Sequence, residues 1–214
     1  MGLKLIEVFS NPRQIVKEAF AFPNIKLGLG LLLANTIIAS ILLIAFFSSG
    51  FSVLSAAGLV IKEIIVWLVF GLLLSFFALL VHGKRHSKGK LAGSLTALGL
   101  RYLPTLILTI FVLLVPLVAY PSLSKDFQEL NQGTISSIEF QDRMGAGLNV
   151  FSGITLLIVF IVGIICLFYT LYISYLTVWN CLEISVFKTI IMTIVLLAVS
   201  GLVSLLLANV LAFY

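Results

Sequence analysis

The sequence predicts an all-α protein, a polytopic transmembrane bundle of about five helices with a short N-terminal amphipathic helix at the membrane interface. Three observations carry that prediction. Hydrophobic residues make up 61% of the 214, and charged residues only 10%, against about 25% charged in soluble domains. Mean hydropathy is +1.24, and it arises from long uncharged runs rather than from a diffuse excess of leucine. Those runs have crossing length, since a helix rising about 1.5 Å per residue needs about 20 apolar residues for a hydrocarbon layer of roughly 30 Å. A soluble domain would need a charged exterior, which most of this chain lacks.

The chain reads as one membrane domain, residues 1–214, with a cytoplasmic amphipathic segment over 1–25. Asn11 is a good N-cap, Pro12 is tolerated at the first helical position, and Gln14 is placed to reach back to the cap's backbone N–H. Ile15, Val16, Ala19 and Phe20 gather on one face, with Arg13, Gln14 and Lys17 on the other, and Phe22-Pro23 ends the helix. Ile15 and Phe20 are expected to embed in the inner leaflet, the alternative being a helix docked on the bundle.

Spans are expected at about 27–47, 64–81, 102–120, 148–179 and 189–213. Lys62-Glu63 bounds the second, and His82, Lys84 and Arg85 follow it. Tyr102 and Tyr120 close the third at its two interfaces, where amphipathic aromatics prefer to lie. Pro104 and Pro116 are placed to bend it. The fourth is longer than a perpendicular crossing requires and carries Tyr169, Tyr172, Tyr175 and Trp179 toward its inner end as interfacial anchors. The fifth carries Ser200, Ser204, Ala208 and Ala212 at intervals of four, a stripe for close helix approach within the bundle or across a homodimer.

Lysine and arginine in the short connections set orientation. Ten fall on the side of the N-terminus, Arg101 and Lys188 among them, and three (Lys62, Lys125, Arg143) on the other. The N-terminus is therefore expected in the cytoplasm, the basic loop 84–90 with it, and the C-terminus outside. The net charge of +5 belongs to an inner rim facing anionic lipid, not to a nucleic-acid surface. In the outer connection, Ser136 with Glu139 after Gly133 is placed as a capping box, and Leu123, Phe127 and Leu130 fall at helical spacing.

Chemistry has little to work with. The spans as drawn hold no carboxylate, and neither a zinc-protease motif nor a nucleophile elbow occurs. His82 and His86 are one helical turn apart among lysines and arginine, which repel a cation, so they read as a solvated helix end. Cys166 and Cys181 are too few for a disulfide framework. No catalytic, cofactor-binding or metal-binding residue is assigned. Arg101 is expected to snorkel to the cytoplasmic interface, with a gating or binding role as the alternative. The function read from these residues is non-enzymatic organisation of membrane or recruitment of a membrane-protein partner. A small-solute transporter or channel subunit stands second, although an odd number of crossings fits two inverted halves poorly.

Three stretches resemble the Yip domain family of five-span membrane proteins, which interact with Ypt/Rab GTPases. They are Asn11-Pro12-Arg13 with the amphipathic helix and Pro23; the Gly-Lys-rich inner loop leading through Gly99, Arg101, Tyr102 and Pro104; and Trp179 followed by a short inner loop and Lys188. In eukaryotic members the resemblance implies Golgi and endoplasmic-reticulum membranes, Rab GTPase partners, vesicle traffic and membrane shaping. Those members carry a longer cytosolic N-terminal region, a Tyr-Gly-Pro motif before the first span and an adjacent Gly-Tyr in the third. Here the pre-span segment is about 25 residues, Tyr-Gly-Pro is missing, and Leu100-Arg101 separates Gly99 from Tyr102. The chain is similar to the compact prokaryotic branch, which implies a prokaryotic cell membrane, and Rab-type GTPase binding is not carried over.

Overall fold

A computed structural model describes residues 7–46, 53–86, 89–119, 125–126, 129–130, 132–147 and 150–211. The described elements are helical: α1 (Glu7–Ser10), α2 (Pro12–Ala21), α3 (Ile25–Phe46), α4 (Val53–His86), α5 (Lys90–Leu100), α6 (Tyr102–Ala119), α7 (Ser137–Gly147), α8 (Val150–Leu182) and α9 (Val186–Leu211). Among the described residues four stretches are long and apolar enough to cross a membrane: Leu54–Gly83, Lys90–Phe111, Leu157–Leu182 and Val186–Asn209. A shorter apolar helix, Ile25–Ile41, accompanies them. The polytopic all-α bundle read from hydropathy is therefore the observed architecture.

Apolar side chains divide between two environments. Phe160, Phe168, Leu202 and Leu205 of α8 and α9 are each more than 60% exposed, a surface that water would not tolerate and lipid accepts. The protein's own core lies toward one end of the bundle. There Phe70, Leu74 and Ala78 of α4 meet Leu95 and Leu98 of α5, Ile173 and Leu176 of α8, and Ile15 and Val16 of α2. Cys166 and Cys181 are free thiols, both buried.

The centre of this core is an element that hydropathy did not isolate. The inner loop was expected to run to residue 101, but α5 begins at Lys90, and Gly93 through Leu100 are all buried. Their composition permits it. Gly93, Ser94, Thr96, Ala97 and Gly99 are small, and Thr96 returns its hydroxyl to the Ala92 carbonyl at 2.8 Å, so α5 packs against α2, α3, α4 and α8. Arg101, in right-handed helical geometry, passes the chain into α6. Helix α4 likewise begins at Val53, ten residues before Glu63. Lys62 and Glu63 thus lie inside a long helix rather than at the start of one.

The N-terminal helix is amphipathic and lies against the bundle, with one change in what its apolar face meets. Ile15, Val16 and Ala19 are no more than 1% exposed because α5 and α8 cover them. Phe20, expected in the leaflet with Ile15, packs on Gly93. Protein, not lipid, covers this face: the small residues of α5 leave a seat that α2 fills.

Candidate functional site

The resemblance-bearing residues, Lys188 excepted, lie around α5. Asn11 caps α2, its Oδ1 accepting from Gln14 N at 3.3 Å, and Pro12 occupies the first turn. The expected return bond from Gln14 goes instead to the Asn11 side-chain amide at 2.9 Å. The Asn11 backbone N–H is already taken by the Glu7 carbonyl at 2.8 Å. The cap fixes the start of α2 so that the Arg13 guanidinium lies 4.4 Å from the centre of the Trp179 ring, a cation–π contact between α2 and α8.

The aromatic run on α8, expected as an interfacial anchor, forms a docking wall for the N-terminal helices. The Tyr169 hydroxyl donates to the Phe9 carbonyl, Tyr172 stacks on Tyr175, and Tyr175 meets Trp179. Pro23 is exposed in the turn that follows α2. Next to it the Asn24 N–H donates to Thr96 Oγ1 at 2.9 Å, and Asn24 Oδ1 caps α3 at Leu27 N, 3.1 Å. The pre-span turn is thereby tied to the middle of α5.

At the first end of α5, Lys90 Nζ donates to the Asn180 carbonyl at 3.0 Å and to Glu183 Oε1 at 2.7 Å. Glu183 holds a left-handed backbone, φ 51°, which costs a non-glycine residue about 1–2 kcal/mol. Lys90 braces that turn, and His82 Nε2 adds a bond to the Leu182 carbonyl. Arg13, Lys17, Trp179, Asn180 and Glu183 line an open cavity of about 300 Å³ beside it.

At the other end, Gly99 lies against Gly28 of α3. A Cβ on Gly99 would fall 2.1 Å from the Gly28 Cα, so two backbones touch where both residues lack side chains. Beyond it, Arg101 Nη2 donates to the Tyr102 hydroxyl at 3.2 Å, and that hydroxyl donates to Glu63 Oε2 at 3.2 Å. Lys62 Nζ is 3.7 Å from Glu63 Oε1, and the Arg101 guanidinium lies over the Phe70 ring at 5.4 Å.

This arrangement bears on two expectations. Tyr102, expected as an interfacial anchor, is covered by protein at 5% exposure. Arg101 does not reach back to the basic loop: it stands eleven residues beyond Lys90, about 16 Å along the helix. The physical reason is the inserted α5, which lifts Arg101 to the level of Glu63. Pro104 is buried in the first turn of α6, where a missing N–H leaves no helical bond unmade.

Lys188 is separate from both clusters and exposed at the start of α9. Of the small-residue stripe, Ser200 is buried with its hydroxyl on the Leu196 carbonyl at 2.8 Å. Ser204 is half-buried and Ala208 exposed, while Ala212 lies outside the described residues. In the connection before α8, Ser136 Oγ caps Glu139 N at 3.1 Å, and the Glu139 carboxylate turns to Arg143 at 2.8 Å rather than closing a capping box. The hydrogen bonds that the Arg143 guanidinium donates to Glu129, then to Glu139 and Asp126, hold it above its ordinary pKa. Leu123 and Phe127 lie outside the described residues.

Sequence reasoning missed Lys90, Thr96 and Glu183. A lysine in a glycine-lysine loop, a threonine in an apolar run and a glutamate at a span's edge carry no local pattern, and only tertiary contact gives them partners. Among the described residues no group of three His, Cys, Asp or Glu side chains is close enough to hold a metal ion. The arrangement offers ion pairing, stacking and a cationic surface.

In comparison with known proteins, the sequence model of the Yip1 domain matches residues 6–208. No match was found among curated proteins or among solved structures.

Proposed function

The chain belongs to the Yip1 domain family, and from that premise we propose that it is a non-enzymatic multi-pass protein that organises membrane or recruits a partner through its basic end. The observation that carries the reading is the docking of α2. Its apolar face is covered by α5 and α8, so Arg13, Gln14 and Lys17 point outward on a fixed support. Arg13 and Lys17 line one cavity with Trp179, Asn180 and Glu183, whose carboxylate is held by Lys90 at 2.7 Å, a basic and aromatic surface suited to anionic headgroups or to an acidic segment of another membrane protein.

The same reading places this end in the cytoplasm of a prokaryotic cell. Leaving out those within the four long apolar stretches, Lys90, Arg101 and Lys188 of the ten and Lys62 of the three, seven lysines and arginines remain against two. The bias that orients the chain survives.

The test is co-purification from native membrane with mass spectrometry, wild type beside the double variant Arg13→Glu, Lys17→Glu. A specific protein held by wild type and lost by the variant supports recruitment. The second reading, a small-solute transporter, draws on the ionisable group Lys62–Glu63–Tyr102–Arg101 within the helices, since charges at such depth usually serve a function. Identical partners for both forms, together with solute-dependent thermal stabilisation, would favour it instead.

A further inference from the structure

Helices α4 and α9 pack against each other, and a groove lies between them. Phe77 and Val81, one turn apart on α4, face Ile191, Met192 and Val195 of α9 across an open groove of about 570 Å³ with Lys188 in its lining. From Lys188 to Val195 the α9 wall is about 10 Å long. The cation lies at the end next to the α8–α9 turn, and the wall beyond it is apolar. The groove is thus amphiphilic along its length.

Two further features concern the charged end. Lys188 is exposed and forms no ion pair among the described residues. The carboxylate nearest in sequence, Glu183, is held by Lys90 at 2.7 Å. Lys188 also sits in the first turn of the 26-residue helix α9, where backbone N–H groups lack helical acceptors and the helix dipole presents its positive end. Phe187, 72% exposed beside it, extends the apolar surface around the mouth.

We propose that this groove binds one anionic phospholipid from the adjoining leaflet, its headgroup at Lys188 and the first turn of α9, and an acyl chain along Phe77, Val81, Met192 and Val195. An amphiphile is required because the groove is charged at one end only. A net negative headgroup is preferred over a zwitterion because the mouth offers a cation and helix N–H groups but no unengaged carboxylate for an ammonium. The site goes beyond the recruiting surface at Arg13 and does not rest on it.

The test uses the full-length protein in neutral detergent, titrated with phosphatidylglycerol or phosphatidylcholine of identical chains and read by native mass spectrometry. Wild type should favour phosphatidylglycerol about fivefold, the factor for one lysine near a headgroup. Lys188→Gln, a change to an exposed side chain, should abolish the preference. Val195→Trp, which fills the groove, should reduce binding of both lipids, and Lys17→Gln, on the recruiting surface, should leave the preference intact. Equal binding of the two lipids by wild type, or an undiminished preference in Lys188→Gln, overturns the proposal whatever the fate of the recruiting surface.

Discussion

Replacing Gly99 with alanine tests whether α5 is held by backbone contact. The new Cβ would lie 2.1 Å from Gly28 Cα and 2.7 Å from Gly28 C and O. Ordinary contact begins at 3.4 Å, so α3 and α5 must part by about 1.3 Å, the difference between 3.4 and 2.1 Å. No side chain can swing aside, because the opposing atoms are backbone. Overpacking of this kind costs about 3 kcal/mol, the upper part of the usual range. The same separation would stretch the Asn24–Thr96 bond from 2.9 Å, adding about 1 kcal/mol.

The series Gly99→Ala, Gly28→Ala, Gly30→Ala separates this mechanism from a generic effect of alanine. A Cβ on Gly28 would meet Leu95 O at 2.8 Å, and one on Gly30 would meet nothing within 4 Å. The losses should fall in that order, with about 1–2 kcal/mol for Gly28→Ala and no loss, or a gain of about 0.5–1 kcal/mol, for Gly30→Ala. The two buried thiols, Cys166 and Cys181, provide the assay, since a thiol-reactive dye in detergent reports heat-induced unfolding. A Gly99→Ala protein that unfolds at the wild-type temperature would refute the close contact and with it the central position of α5.

Three further outcomes follow from the same contacts. Arg101→Lys should lose about 1–2 kcal/mol in the thiol assay, because lysine cannot lie flat on Phe70 while bonding Tyr102; stability equal to wild type would restore the snorkelling account. Lys90→Met keeps the packing length but leaves Glu183 in its left-handed turn without this brace. A loss of about 1 kcal/mol is expected, discounted for the exposure of Glu183, and adding Glu183→Gly should recover part of it; no loss in Lys90→Met sinks the bracing role. Reporter fusions after Lys90 and after Tyr214 should report opposite sides of the membrane, and the same side for both would remove the five-span arrangement, which places three crossings between them.

The membrane class and the helical runs were legible because the bilayer is a solvent that acts along one dimension. A crossing helix must be apolar over a set length, and 61% hydrophobic composition arranged in uncharged runs meets that demand before any partner is known. The cap at Asn11 and the capping serine at Ser136 were legible for a similar reason, since a helix start is satisfied by residues three apart.

The seat of α2, the burial of α5 and the position of Arg101 were decided by tertiary structure alone. Lipid and protein interior both accept Leu, Ile and Phe, so hydropathy cannot tell Ile15 against α5 from a side chain in the leaflet. Gly28 and Gly99 are separated by 70 residues that no local pattern connects, and they meet only because two small positions let backbones touch. That contact, with Trp67 Nε1 bonded to the Leu95 carbonyl at 3.0 Å, draws a stretch that reads as loop into the core and carries Arg101 away from the basic rim to Glu63.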